Sequence, residues 1–336
     1  PILSGLVGSE MCIRDSLPTE RSIRFPKMLL FKSTQTLRFF ETLERRKLVP
    51  LNNRGITMTV IKSLRTGLLL LFGLLCGFVR AQDPSAFYIA NEGVLVSDGG
   101  MKIMFDPLFP NTYGQYLLPP EEMKQAMFAG EAPFDGVNAI FVSHYHGDHF
   151  SPEEIYQLME AQPGIQLFAP NQAIIAMRSA TSDSGSAVFN RVNSVSLGFN
   201  DAPVTFRDND LLVEAVRIPH SGWPNRMLDV ENIAWRVTLN DNATILHLGD
   251  SDPNDDHFAI DAEYWDERAP NMAFPPYWFH ATPAGRDILE NRIKAQSNVG
   301  IHVPDTVPAD PILRPQELRG RDLFITPGET RPIPAN

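Results

Sequence analysis

The chain has 336 residues, 43% of them hydrophobic, with 40 acidic against 29 basic side chains and a net charge of −11. That length holds one large or two ordinary domains, and the composition excludes a disordered, collagenous or low-complexity chain. The acidity argues against nucleic acid or an anionic membrane surface as the main partner, since both attract basic patches.

The charge is unevenly placed. Residues 1–81 hold 13 basic but only 5 acidic side chains, leaving 16 basic against 35 acidic in the remainder, a net charge of −19 there. From Met58 the chain reads as a secretory leader: Lys62 and Arg65 precede an apolar run from Leu68 to Val79, and Ala81 stands where a small-residue cleavage site belongs. The run is too short to cross a bilayer, which needs about 20 residues. Residues 58–81 are therefore expected to be a signal peptide, and residues 82–336 a secreted or periplasmic product with no stable membrane span. Leu75 before Cys76 is bulky, against a lipoprotein anchor. Residues 1–57 are expected to be a gene-model artefact or a disordered extension, because LVGSEMCIRDS (6–16) resembles translated adaptor-like sequence. Both cysteines, Cys12 and Cys76, precede residue 82, so any metal in the remainder must use histidine and carboxylate.

After the leader, Phe87 to Ala90, Gly93 to Ser97 and Met101 to Phe105 read as hairpin strands joined by NEG and DGG turns. Pro119 to Ala129 has helical spacing. Asn138 to Ser143 reads as a buried strand, and Ser151 followed by Pro152, Glu153 and Glu154 predicts a capped helix running to about Ala161. Ile165 to Ala169 predicts a strand and Gln172 to Ser179 a helix. Val192 to Leu197, Val204 to Phe206 and Leu211 to Ile218 read as strands. Ile233 to Leu239 and Thr244 to Leu248 form a further hairpin. Thr282 and Pro283 open a helix, Val299 to Val303 reads as a strand, and Leu323 to Ile325 as an edge strand. Strand groups interrupted by single helices predict an α/β chain of two mixed sheets with outer helices.

The segment Ser143 to Phe150, SHYHGDHF, puts three imidazoles and a carboxylate within six residues directly after a strand. A core has no means of satisfying four such groups there, whereas imidazole and carboxylate are ordinary ligands of zinc, manganese or iron. Gly147 is expected to provide the tight turn that aims its neighbours at one point.

The HxHxDH pattern of His144, His146, Asp148 and His149 resembles the signature of the metallo-β-lactamase superfamily. Later positions occur in the same order as in that family: His220 in IPHSGWP, Asp250 in ILHLGDSD and His302 in VGIHVPD. The resemblance implies a four-layer αββα sandwich and two divalent metal ions, with zinc foremost and manganese or iron as alternatives. It places His144, His146 and His220 on one ion, Asp148, His149 and His302 on the other, and Asp250 between them. Such a pair, roughly 3.5 to 4 Å apart, holds a hydroxide at neutral pH, so the implied activity is a secreted metal-dependent hydrolase with Asp148 as its catalytic carboxylate. The short GD motif at Gly249 and Asp250, and PHSGWPNR in place of a GHTPG loop, make the chain look like the lactonase and phosphodiesterase-like branch. A phosphodiester, lactone or related ester or amide is then expected, in a small-molecule or lipid-like substrate. An iron-dependent redox enzyme of the same fold and a non-catalytic protein that retains its metal are the alternatives.

The other histidines have less demanding readings. His247 is expected to be a core or hydrogen-bonding residue behind the site. His257 is expected to be solvated, and His280 is the rival to His302 as the last ligand. Tyr277, Trp278 and Phe279 suit either core or pocket wall, as does Trp223 beside His220, while Asp252, Asp255 and Asp256 are expected to face solvent.

Overall fold

The structure, a computed structural model, describes residues 83–335 except 184, 209 and 261. The expected leader at 58–81 and the segment 1–57 lie outside the described residues.

Among the described residues thirteen strands fall in two sheets, the first in the order β13, β1, β2, β3, β4, β5, β6 and the second in the order β12, β11, β10, β9, β8, β7. The first sheet contains β1 (Ser85–Ala90), β2 (Gly93–Asp98), β3 (Met101–Phe105), β4 (Ala139–Phe141), β5 (Gln166–Pro170), β6 (Val192–Val195) and β13 (Thr330–Pro332). It is antiparallel from β13 to β3 and parallel from β3 to β6. The second contains β7 (Val204–Asp208), β8 (Leu211–Arg217), β9 (Ile233–Leu239), β10 (Ala243–His247), β11 (Met272–Phe274) and β12 (Ser297–Asn298). Its pairs are antiparallel from β7 to β10 and parallel from β10 to β12. Both sheets are mixed, as the spacing of strands and helices predicts.

Side-chain alternation along each strand explains the layering. Tyr88, Val94, Val96, Phe105 and Phe141 from the first sheet meet Val213, Trp235, Val237, Ile245 and Phe274 from the second. Trp235 also donates from Nε1 to the Val142 carbonyl at 2.9 Å, tying the sheets together at the foot of the histidine loop. The alternate residues face outward: Leu95, Met104, Ile140 and Leu167 pack under helices α1 (Glu121–Ala129), α2 (Pro152–Ala161) and α3 (Asn171–Ala180). On the other side Val216, Ala234 and Leu246 pack under α4 (Asp255–Ala259), α5 (Ala262–Glu267), α6 (Tyr277–Ala281) and α7 (Pro283–Ile288). The result is a helix–sheet–sheet–helix sandwich. Among the described residues, no helix is long and apolar enough to cross a membrane.

Three expectations need correcting. Val299 to Val303 is not a continuous strand: β12 ends at Asn298, and beyond it Val299 and Ile301 N–H donate to the Ala273 and Pro275 carbonyls while single bridges join Ile301 to Pro276 and Gly300 to Leu323. The edge of the first sheet is Thr330–Pro332 rather than Leu323 to Ile325, since Leu323 enters the apolar cluster beside Val303, Val307 and Leu318. Residues 255–281, read only as loop and aromatic cluster, form three short helices and β11.

Candidate metal centre

Loops at one end of the two sheets deliver the polar groups. Asp106 follows β3, the histidine loop follows β4, and His220 follows β8. Asp250 comes three residues after the end of β10, and His302 lies beyond β12. The β1–β2 turn adds Asn91 and Glu92 from the side. Single main-chain links hold the loops in place: His220 bridges to Ser251, Ile233 N–H donates to the Ser143 carbonyl at 2.9 Å, and Ser221 N–H to the Asp250 carbonyl at 2.7 Å. Asn91 ties two of the loops at once, donating from Nδ2 to the Asp148 carbonyl at 2.9 Å while its own carbonyl accepts from His302 N–H at 3.0 Å.

The first set of imidazoles is His144, His146 and His220, whose nearest ring nitrogens lie within 4.8 Å of one another. His144 Nε2 and His146 Nδ1 are 3.1 Å apart. His144 Nδ1 faces Ser143 Oγ at 3.0 Å and His220 Nδ1 donates to the Ser221 carbonyl at 2.8 Å. Those bonds occupy Nδ1 of His144 and of His220 and leave Nε2 of each as a lone pair pointing inward, the arrangement that orients a histidine ligand, while His146 faces His144 through its Nδ1.

The second set is Asp148, His149, Asp250 and His302. His149 Nδ1 donates to Asp106 Oδ2 at 3.0 Å, and its Nε2 lies 3.8 Å from Asp148 Oδ2 and 3.5 Å from Asp250 Oδ1. His302 Nε2 is 3.4 Å from Asp148 Oδ2 and 3.2 Å from Asp250 Oδ1. Asp250 Oδ2 turns the other way, to His220 Nε2 at 3.2 Å. One carboxylate thus faces both sets.

Buried polar atoms ordinarily find a partner. Here His149 Nε2, His220 Nε2, His302 Nε2 and Asp250 Oδ1 are all buried without a hydrogen bond, and all point into the same space. Nitrogen and carboxylate lone pairs converging in this way suit divalent cations, which supply the missing positive charge, so the residues present fit such ions. The electrostatics agree. Burial lowers the proton affinity of His144 far below the ordinary histidine value, and neighbouring His149 and His220 lower it further. His146 is lowered for the same reasons. Burial opposes charge on Asp250 too, but His302 and His149 beside it outweigh burial and hold its carboxyl well below the usual range. His149 shows the reverse: burial opposes its charging, but Asp250, Glu92 and Asp148 together push it well above.

Each residue expected at the site is at this end of the sandwich. His280 is not: it is buried on α6, with its Nε2 facing Gly300 rather than the carboxylates. His247 stays behind the site, where Nδ1 accepts from Gly249 N–H at 3.3 Å and Nε2 donates to the Glu92 carbonyl at 3.0 Å. His257 is a correction. It is largely buried, 3.8 Å from Asp252 and edge-on to Trp223, because α4 folds it inward. Asp255 faces solvent as expected and pairs there with Arg292 at 2.7 and 2.8 Å. Trp278 stands 5.3 Å from the His302 ring and donates from Nε1 to the Ser251 carbonyl at 3.0 Å, whereas Phe279 is core. Gly147 does not adopt a left-handed backbone; Gly249 does, with φ at 54°.

Sequence reasoning passed over four residues. Asp106 and Ser143 set the histidine tautomers, Tyr116 lies edge-on to His302 with ring centres 4.1 Å apart, and Glu92 is wholly buried beside His149.

A family profile described as a beta-lactamase superfamily domain matches residues 102–303. No curated protein matches the chain in sequence. A possible metal-dependent hydrolase from Veillonella parvula DSM 2008 superposes with a TM-score of 0.50 at 14% identity, over 75% of this chain and 100% of that one. Igni18, a metallo hydrolase from Ignicoccus hospitalis KIN4/I, gives a TM-score of 0.48 at 16% identity, over 74% and 98%. CmlA, a diiron beta-hydroxylase from Streptomyces venezuelae, gives 0.46 at 12% identity, over 74% and 54%. At these identities the likeness is one of fold.

Proposed function

The chain belongs to the metallo-β-lactamase superfamily, and from that premise we propose that it is an exported hydrolase of phosphodiester, lactone or related ester bonds that works with two divalent cations, zinc foremost. The observation that carries the reading is Asp250, whose two oxygens face two separate histidine sets, each with orphaned lone pairs.

In this reading His144, His146 and His220 hold one ion, Asp148, His149 and His302 hold the other, and Asp250 is shared. Ions bound there supply Lewis acidity and a water nucleophile at neutral pH. The chain's own residues do the rest. Asp106 and Ser143 fix the ring orientations of His149 and His144, so the lone pairs point inward before any substrate arrives. Asp148 keeps an ionised carboxylate facing the centre: burial raises its pKa, but His149 and the bond to His302 bring it below the ordinary value. Its Oδ2 is the atom placed to take and return a proton during turnover. Tyr116 and Trp278, both against His302, form an aromatic wall on one side that favours a partly apolar substrate. Export is supported by the leader-like sequence at 58–81.

Two measurements test this. Elemental analysis of the protein isolated from its native compartment should find two ions per chain, mainly zinc; iron instead would favour redox chemistry. A panel of bis(p-nitrophenyl) phosphate, γ-lactone, ester and β-lactam substrates should show metal-dependent hydrolysis of the phosphodiester or lactone. Turnover of the β-lactam alone would count against the proposed substrate class.

A further inference from the structure

The β1–β2 turn carries a side chain that the reading above leaves unused. Glu92 is fully buried, and neither of its carboxylate oxygens has a hydrogen-bond partner among the described residues. Its Oε2 lies 3.4 Å from His149 Nδ1 and 3.7 Å from His247 Nε2. Both nitrogens are already engaged, His149 Nδ1 with Asp106 Oδ2 and His247 Nε2 with the main-chain carbonyl of Glu92, each at 3.0 Å. No donor is left for the carboxylate.

A buried carboxylate without donors is costly unless a positive charge faces it. The turn itself does not require the cost, since a hairpin tip ordinarily turns a polar side chain to water. This one sends Glu92 inward beneath the metal centre. There its carboxylate, a nitrogen of His149, an oxygen of Asp250 and a nitrogen of His302 all lie within 4.8 Å of one another. A spread of that size is what a single cation gathers.

We propose that Glu92 is a further carboxylate of the second cation site, facing the ion that Asp148, His149, Asp250 and His302 hold. The inference rests on the two-cation reading. It makes the sites chemically unequal: the first has three imidazoles and a share of Asp250, whereas the second has two imidazoles and three carboxylates. Hard oxygen donors and high negative charge favour a harder cation. The second site should therefore accept manganese more readily than the first, which should keep zinc.

The test is stepwise metal binding to the chelated full-length protein, followed by calorimetry and elemental analysis with zinc and with manganese, for wild type, Glu92→Gln and Glu92→Ala. Thermal melting is recorded with and without metal. Wild type is expected to bind two ions. Both variants should retain the first with unchanged affinity and bind the second roughly ten- to a hundredfold more weakly. Metal-free Glu92→Gln should melt at or above metal-free wild type, because an uncompensated buried charge is gone, and should gain less on adding metal. Two ions bound to Glu92→Gln with wild-type affinity would overturn the assignment and leave the two-cation reading intact. So would an equal loss of melting temperature with and without metal, which marks a packing role. Fewer than two ions in wild type would overturn both.

Discussion

Asp250 turns Oδ2 to His220 Nε2 at 3.2 Å while its Oδ1 stands the same distance from His302 Nε2 on the other side of the centre. A residue so placed serves two sets of ligands through one side chain. Asp250→Ala should therefore weaken both sites together, whereas His146→Ala should weaken only the first. Elemental analysis after dialysis against a weak chelator checks this: ion content near zero in the first variant and near one in the second is the expected pair of results. One tightly held ion in Asp250→Ala would show that the carboxylate is not shared.

Gly249, immediately before that carboxylate, has no room for a side chain. A Cβ there would sit 2.5 Å from Asn232 Oδ1 and 2.6 Å from Ser143 Cβ, and φ is already left-handed. Asn232 cannot yield easily, since its Nδ2 donates to the carbonyls of Ile218 and Leu248 at 3.2 Å each and its Oδ1 accepts from Asp250 N–H. Gly249→Ala should cost roughly 2 to 4 kcal/mol in strain and overpacking. It should also displace Asp250, so denaturant unfolding and metal content should fall together.

How far the sequence carried this site depends on where its residues lie in the chain. His144, His146, Asp148 and His149 are legible because four ligand-capable side chains crowd into six positions, a density no core explains. His220, Asp250 and His302 are legible only through their order after that cluster. Glu92 and Asp106 are not, because NEG reads correctly as a turn and nothing local says that the turn folds its glutamate under a site more than fifty residues away in sequence. The helices between Asp255 and Ala281 escape for a different reason. At five or six residues each they complete barely more than one turn, too little for an apolar period to register. The strand predicted from Val299 is interrupted rather than absent: Val299 and Ile301 N–H still donate to the Ala273 and Pro275 carbonyls at 2.9 Å each, while Gly300 pairs to the other side with Leu323.

His280 offers a test by pH. Burial, and then Arg321 nearby, lower its pKa from 6.5 to about 4. The unfolded chain then takes up this proton near pH 6.5 and the folded chain only near 4. The stability linked to His280 is complete above about pH 6.5, is lost as the pH falls toward 4, and changes no further below that, a total on the order of 3 kcal/mol. Urea unfolding of metal-free wild type and His280→Gln between pH 4 and 7 isolates the contribution. The variant should show a shallower pH slope in that window whatever its absolute stability, and parallel slopes would contradict the assignment.

Asp148 and Ser221, the hydroxyl that follows His220, are separable by substitution. Ser221 contributes through its backbone: its N–H donates to the Asp250 carbonyl and its own carbonyl accepts from His220 Nδ1. Ser221→Ala preserves both bonds and should leave most of the turnover of whichever panel substrate is cleaved. Asp148→Asn keeps the shape, and the Asp148 carbonyl still accepts from Asn91, so the loop should stay in place. It removes the charge facing His149 and His302 and the atom proposed to carry the proton. Turnover should fall by roughly a hundredfold or more, with the metal-free melting temperature little changed. Chelation should abolish the wild-type reaction and added zinc restore it. A covalent intermediate trapped on Ser221, or turnover that survives complete chelation, would replace this mechanism with one based on a serine nucleophile.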